Sequence, residues 1–337
     1  MSSSQNQHAI LLLAHGTPDV LSQMADYLQK VTGGRPMPQH VVEELQHRYA
    51  EIGLREEPLQ EGPPLTRWTL EQGKLLSELL GQKVYVGMRN WHPYIADVVA
   101  QMKADGVTRA RVLCLAPQNS RTSTGLYKKA LIAAVGDALT IDFSFEFISG
   151  WADEPLLAQA FAERMAPALA AAGEKAAVLF TAHAVPCRTI MSAQSDTPHH
   201  NGIPVDGLQN YGDHEDPDPY PVECKQTAIA IARELKLNDA DWFFAFQSQG
   251  IAGAPWLGPT VPDTLAALAA SGYKAVVLQP VGFLCDHVEI LYDIDIAFTA
   301  LAEQLNLRLW RAGSLNDSPL LIRALAEIAT GNAPQTP

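Results

Sequence analysis

A histidine at the end of an apolar run is the first feature of this sequence that suggests chemistry. The stretch FTAHAVP, Phe180–Pro186, places His183 directly after residues typical of a buried strand. His15 has the same position in LLLAHGTP, after an earlier apolar run. An imidazole in such a place can pack in the core, act as a general base near neutral pH, or bind iron, cobalt or zinc. These residues alone leave all three interpretations open.

Acidic residues are concentrated in a late stretch, DHVEILYDID. Glu289 and Asp293 are four residues apart, so they share a face if this stretch is helical. Like charges at that spacing are mildly destabilising, which favours a bound cation, a shared proton or a catalytic task. However, Asp286-x-x-Glu289 is also a capping-box pattern, in which Glu289 merely satisfies a backbone N–H. Spacing does not decide between the two.

Eight β-rich runs, in two sets of four, alternate with helical patterns. The runs are almost continuously apolar, as expected of strands covered on both faces, and the alternation favours βαβ units with parallel sheets. The fold class predicted is therefore α/β, with two similar lobes that each contain a four-stranded parallel sheet flanked by helices. We divide the chain into an N-terminal lobe, 8–150, and a C-terminal lobe, 151–317, with a final helix, 318–330, packed on the first. The predicted strands are Ala9–Ala14, Lys83–Met88, Ala110–Leu115, Ile141–Ile148, Ala176–Ala182, Trp242–Gln247, Lys274–Val281 and Leu307–Arg311.

The carboxyl ends of these strands are where a ligand should bind, because open α/β sheets place their binding crevices there. His15, His183 and the stretch that carries Glu289 all follow predicted strands. We therefore expect them to converge on one cleft between the lobes. One regular helix over Val288–Leu305 would present the two acids to that cleft.

The composition and charge of the chain argue against several classes of binding partner and cofactor. The chain has 337 residues, with 37 acidic against 24 basic side chains and a net charge of −13, which disfavours nucleic acid and anionic membranes. No apolar run approaches the roughly 20 residues of a membrane span, and the N-terminus lacks the features of a secretory signal. The cysteines form no C-x-x-C pair, so we expect reduced thiols in a cytoplasmic protein with neither a zinc site nor an iron–sulfur cluster. The missing G-x-G-x-x-G motif argues against a dinucleotide.

Several motifs in order, from about residue 10 to 320, together resemble the ferrochelatase family. They include HRYAEIG, VYVGMRNWHPYI, FTAHAVP, DPYP, PWLGP, DHVEILYDID and GSLNDSP, of which PWLGP and DHVEILYDID are the most specific. The resemblance implies two Rossmann-like lobes and insertion of ferrous iron into a porphyrin during haem synthesis. The porphyrin would be coproporphyrin III or protoporphyrin IX, and the coproporphyrin-using type is the leading hypothesis. Iron would then be a substrate, with no tightly bound cofactor. It also implies a monomer that contacts haem-pathway enzymes transiently.

The resemblance also suggests roles for individual residues. His183 and Glu289 match the metal-site pair of the family, and Asp293 occupies a second acidic position. We expect His183 and Glu289 to face each other across a slot of tetrapyrrole size, in which Trp256 and Trp91 hold the macrocycle bent. His15 could bind iron from the opposite face or pack in the core. The substrate-binding residues implied are His15, Arg35, Arg48, Tyr49, Asn90, Ser120, Tyr127 and Trp256.

The sequence departs from the family pattern in five places, the first of which is His15, where coproporphyrin-using relatives often carry tyrosine or phenylalanine. Ala297 stands where relatives have a further acid, and Ala116–Ser120 reads APQNS instead of A-P-H-[FY]-S. The loops Cys187–Pro221 and Leu54–Thr66 are longer than usual and could cover the mouth of the cleft. Two alternatives therefore stay open. One is a chelatase for a sirohydrochlorin-type tetrapyrrole, and the other is a porphyrin-binding protein without catalysis.

Overall fold

The strands form two parallel sheets of four strands each, as the apolar runs predict. A computed structural model describes residues 8–136, 143–173, 175–190, 199–200, 203–204, 217–250 and 255–331. The first sheet has the order β2-β1-β3-β4 and the second the order β10-β9-β5-β8. The predicted α/β fold class with two four-stranded parallel sheets is confirmed. The strands are β1 (His8–Ala14), β2 (Val84–Met88), β3 (Arg109–Cys114), β4 (Ser144–Ile148), β5 (Ala177–His183), β8 (Trp242–Gln247), β9 (Ala275–Pro280) and β10 (Arg308–Arg311).

Helices follow most of the strands, as βαβ connections require. They are α1 (Met24–Val31), α2 (Gln39–Glu51), α3 (Pro64–Leu80), α4 (Ile95–Ala104), α5 (Thr124–Val135), α6 (Pro155–Ala172), α7 (Tyr220–Glu234), α8 (Val261–Ala270), α9 (Val288–Leu291), α10 (Thr299–Gln304) and α11 (Pro319–Thr330). The sequence analysis missed α1 and α5. With 8 residues, α1 is shorter than a periodicity window. In α5 the signal was present, because its buried Tyr127, Leu131 and Val135 are spaced four apart.

A layer of helices between the two sheets holds the molecule together. Phe161 of α6 packs in one core cluster with Ile10 of β1 and Phe180 of β5, so this cluster touches both sheets. The outer faces of the sheets are covered separately, by α4 and α5 on the first and by α8 to α10 on the second. The helix α11 contacts α6, α3 and β3 and thus lies against elements from both sides of residue 150. The division into 8–150 and 151–317 stays a prediction.

The late acidic stretch is not one regular helix. Residues Asp293–Phe298 form a π-helical segment between α9 and α10, and the Ala297 N–H donates to the Tyr292 carbonyl at 3.0 Å, five residues back. The predicted helical pattern over Val288–Leu305 is thus found from Val288 to Gln304, but its middle part is π-helical and not α-helical. π-Helical turns are rare and are frequent at functional sites.

Only parts of the long loop Cys187–Pro221 are described. A 3₁₀ turn spans Cys187–Thr189, and two short strands, β6 (His199–His200) and β7 (Ile203–Pro204), pair antiparallel. Residues 191–198, 201–202 and 205–216 lie outside the described residues. A cover over the cleft by this loop therefore stays a prediction. Within the described helices, none combines the length and apolar character that crossing a bilayer requires.

Candidate active site

A cavity of about 340 Å³ lies at the carboxyl ends of the strands, where both sheets contribute to its wall. This volume falls within the range of about 300–1,000 Å³ typical of small-molecule sites. His15 follows β1 and His183 ends β5, and both line the cavity together with Glu289 of α9. The predicted convergence of these three residues is confirmed. Further predicted residues on the wall are Tyr49, Ser120, Tyr127 and Trp256.

His183 and Glu289 lie side by side on one wall. The Nδ1 atom of His183 is 3.2 Å from Oε2 of Glu289, so the expectation that they face each other across a slot was wrong. They are adjacent because β5 and β9 are neighbours in the sheet, and because the Val281 N–H after β9 donates to the Thr181 carbonyl of β5 at 2.7 Å. About a third of each side chain, 35% and 33%, is exposed. Both side chains therefore reach the cavity from the same side.

Contact between these two side chains controls their protonation. Burial by itself lowers the pKa of His183, but the Glu289 carboxylate reverses this and raises the pKa above its ordinary value. Burial would raise the pKa of Glu289, yet the facing His183 holds it well below its usual range. Nδ1 of His183 makes no well-directed hydrogen bond, so the contact is electrostatic in character. Glu289 is thereby held as a carboxylate, and the imidazole beside it is more basic than that of an ordinary histidine.

Backbone hydrogen bonds fix the position of the pair. The Tyr220 hydroxyl donates to the His183 carbonyl at 3.0 Å, and Nε2 of Gln247 donates to the Glu289 carbonyl at 2.8 Å. The buried Thr181 hydroxyl donates to Oε1 of Gln247 at 2.6 Å, which orients that amide. The end of β5 is thereby tied to α7, and the first turn of α9 is tied to β8.

Glu289 does not form a capping box with Asp286 in the structure. The N-cap of α9 is His287, which makes no side-chain capping bond. Asp286 turns away from the helix and accepts from Oγ of Ser314 at 2.7 Å and from Nδ2 of Asn316 at 2.9 Å. The Glu289 carboxylate instead faces His183 and also His287, whose Nε2 lies 3.7 Å from the same oxygen.

Asp293 lies behind this wall and is buried. It accepts a hydrogen bond from the Ser248 hydroxyl and forms an ion pair with Nη1 of Arg48 at 3.6 Å. Burial raises the pKa of Asp293, and the nearby Glu289 carboxylate raises it further. The two acids are thus electrostatically coupled, but Glu289 faces the cavity and Asp293 connects it to Arg48.

The environment of His15 differs from that of His183. Its ring has no carboxylate in contact, and the Asn90 side-chain nitrogen lies 3.0 Å from Nε2. Burial lowers the pKa of His15 to about 3, assisted by the charge of Arg89. This imidazole is therefore neutral at physiological pH, and the Asn90 amide lies within hydrogen-bond distance of both ring nitrogens, so it can donate to the one that carries the lone pair.

Four predicted contacts lie away from the cavity wall, and one of them, Asn90, is buried beside His15. Arg35 is exposed and donates through Nε to the Thr32 carbonyl at 3.3 Å. Arg48 pairs with Asp293 and lies over the ring of Tyr292 at 5.3 Å. Trp91 is buried, against the expectation that it lines the cleft, because it packs behind Tyr27, and it is Tyr27 that reaches the wall. The roles of Arg35 and Arg48 toward a substrate stay predictions.

The sequence analysis did not single out two polar residues of the wall. His287 follows β9, and its Nδ1 lies 2.9 Å from the Cys285 carbonyl, while Arg89 directly follows β2. Both residues lie in stretches that follow a predicted strand. The expectation that a ligand binds at the carboxyl ends of the strands therefore already indicated these stretches. The sequence does not show which residue after a strand points its side chain into the cavity.

The cavity offers an incomplete set of metal ligands. Across the described residues, no three or more histidine, cysteine or acidic side chains are arranged to hold a metal ion. His183 and Glu289 could supply one nitrogen and one oxygen ligand, whereas structural metal sites are closed by about four ligands. The arrangement suits an ion that is bound briefly and completed by ligands from elsewhere.

The fold is that of chelatases. The sirohydrochlorin chelatase SirB from Bacillus subtilis subspecies spizizenii, solved in complex with cobalt, superposes with a TM-score of 0.52 at 11% identity and covers 97% of this chain and 95% of its own. A second SirB structure, with Fe³⁺, gives a TM-score of 0.51 at 12% identity, with 97% of each chain covered. At this level of identity the likeness concerns the fold alone.

The ferrochelatase family model matches residues 7–333. The chain is 54% identical over 331 residues to a ferrochelatase of Acidobacterium capsulatum, covering 96% of this chain and 94% of that protein. It is 32% identical over 336 residues to a coproporphyrin III ferrochelatase of Geobacillus kaustophilus, covering 95% and 94%. The chain belongs to the ferrochelatase family, which confirms the resemblance noted in its motifs.

Proposed function

We propose that the protein inserts ferrous iron into a porphyrin during haem synthesis, with coproporphyrin III or protoporphyrin IX as the acceptor. The observation that carries this is the His183–Glu289 pair, which lies in a cavity between two parallel sheets in a member of this family. In the reaction the macrocycle loses two pyrrole N–H protons and binds Fe²⁺ through its four nitrogens.

Removal of the pyrrole protons is the task assigned to the His183 imidazole. The adjacent carboxylate raises the pKa of His183, which makes the ring a better proton acceptor. Once protonated, the ring is stabilised by Glu289 at 3.2 Å, and Asp293 offers the next acidic group along the same segment. Protons therefore have a path from the macrocycle toward the π-helical segment.

Iron is a substrate in this proposal and not a resident cofactor. A histidine–carboxylate pair that leaves most coordination positions open can deliver Fe²⁺ to four pyrrole nitrogens, whereas a closed site would retain it. The neutral imidazole of His15 can act as a further donor. The cavity is built from one chain, so we also propose that a monomer is sufficient for activity.

Trp256 gives the cavity a rigid aromatic wall. A Cβ atom added at Gly250 would lie 2.7 Å from the Trp256 ring, so the indole packs directly on the glycine backbone. A wall that cannot yield can hold a planar macrocycle bent, which exposes its nitrogen lone pairs to the metal.

The test is anaerobic incubation of the purified protein with ferrous iron and each porphyrin, followed by absorbance spectroscopy. We expect the Soret and Q bands to shift to those of the iron complex. His183→Ala should abolish the shift, while His8→Ala, at the exposed opposite end of β1, should leave it unchanged. Normal turnover by His183→Ala would overturn the proposal.

The same experiment separates the alternatives. Tight porphyrin binding without metallation would indicate a carrier, and preferred metallation of sirohydrochlorin would indicate a chelatase of the other class. Light scattering of the active protein tests whether the monomer is sufficient, and metal analysis of the purified protein tests the absence of a resident metal.

A further inference from the structure

Arg89 is a cation on the cavity wall that the proposed mechanism does not use. It directly follows β2 and lines the cavity. Its guanidinium carbon lies 5.7 Å from the centroid of the Tyr127 ring, and Tyr127 also lines the cavity. The Nε atom of Arg89 is buried and has no hydrogen-bond partner in the protein.

Among the described residues, Arg89 forms no ion pair with a carboxylate, in common with surface arginines such as Arg109 and Arg308. Arg89 differs from these in lining the cavity. It is half-buried, and its buried Nε atom lacks a hydrogen-bond acceptor, which an anionic ligand would supply. A planar guanidinium matches a carboxylate, which it binds through two parallel N–H···O bonds.

Hydroxyl groups stand on the same part of the wall. Ser120, Thr122 and Ser123 line the cavity between β3 and α5, next to Tyr127. The Ser120 and Thr122 hydroxyls are 2.9 Å apart, so one of them can donate to a ligand while it accepts from the other. A cation beside such donors is a site for an anionic oxygen group.

We propose that Arg89 binds a carboxylate at the edge of the tetrapyrrole and thereby selects coproporphyrin over protoporphyrin. This inference rests on the proposed function. Arg48, a cation predicted to bind the substrate, lies away from the wall against Asp293 and Tyr292, whereas Arg89 lines the cavity itself. Coproporphyrin carries propionates on all four pyrrole rings, whereas protoporphyrin has vinyl groups on two of them and propionates on the other two. The inference assigns Arg89 to one of the two rings that differ, where a propionate pairs with the guanidinium and a vinyl group leaves it unpaired.

The test measures porphyrin binding without iron, by fluorescence titration with coproporphyrin III and with protoporphyrin IX. The loss of one partner of a desolvated charge pair predicts that Arg89→Met weakens coproporphyrin binding about 30-fold or more. Protoporphyrin binding should change by less than about threefold, because no bidentate pair is lost. Arg89→Lys retains the charge but not the planar fork, so it should recover only part of the affinity.

Arg109→Met is the matched control, because it removes the same charge at the exposed start of β3. Near-ultraviolet circular dichroism establishes that each variant is folded, and Arg89→Lys gives the answer if Arg89→Met is not. Equal losses for both porphyrins, or no loss with coproporphyrin, would overturn the inference. Either result leaves the proposed function standing if the wild-type protein still metallates a porphyrin, and a wild type that metallates none refutes the proposed function directly.

Discussion

His15 provides the sharpest electrostatic prediction. Burial, assisted by Arg89, lowers the pKa of His15 to about 3, against 6.5 for an unperturbed histidine. At pH 5 an ordinary histidine is about 97% protonated, whereas a group with a pKa of 3 is about 1% protonated. The assay is an NMR titration of the histidine ring signals, with His15 assigned by the signal missing in His15→Asn. A His15 midpoint between pH 5.5 and 7 would refute the reasoning.

The same shift has a consequence for stability. The unfolded chain binds a proton at His15 below about pH 6.5, and the folded chain does so only near pH 3, so acidification favours unfolding. The limit is about 1.4 kcal/mol per pH unit, or about 3 kcal/mol between pH 6.5 and 4. Because one side of the ring faces the cavity, water there reduces the cost, and we expect about 2 kcal/mol. The measurement is the free energy of unfolding of the wild type minus that of His15→Asn. A difference that is constant between pH 8 and 4 would contradict the assignment.

Two further substitutions test the site and the core. Glu289→Gln removes the charge that opposes burial, so the pKa of His183 should fall and metallation at pH 7 should slow about 100-fold; an unchanged His183 titration would count against the coupling. Phe161→Ala empties a fully buried position in the core that touches both sheets and should cost about 3–5 kcal/mol in urea unfolding. A loss below about 1 kcal/mol would show that this layer is not the main core.

Most of the fold could be predicted because the signals are local. The apolar runs of β1 and β5 are continuous, with residues such as Leu12 and Phe180 fully buried, and this is the pattern of a strand covered on both faces. A histidine after such a run must lie at the ligand-binding edge of the sheet, so the positions of His15 and His183 followed. The short helix α1 and the π-helical turn did not follow, because each depends on tertiary contacts more than on a repeating pattern.

The geometry of the site could not be predicted to the same extent. His183 contacts Glu289 because β9 lies next to β5 in the sheet. The order of strands in a sheet cannot be predicted from the sequence of either strand alone. The inward turn of Arg89 and the outward position of Arg35 are likewise properties of the assembled cleft. Motif resemblance suggested Arg35 and Arg48 as substrate cations, but it carried no information about which arginine lines the cavity in the folded chain.

His15 and His183, which both lie at the ends of strands, have pKa values shifted in opposite directions. This difference sets the side of the cavity on which a proton is accepted. Both rings are desolvated, which by itself lowers the pKa of each. Only His183 has a carboxylate in contact, and only His15 has the Arg89 cation among the charges that lower its pKa further. A proton released inside the cavity is therefore accepted on the His183 side, while His15 stays neutral. Because Glu289 and then Asp293 continue from His183, the proton leaves toward the acidic segment and does not compete for the side on which a neutral imidazole is available.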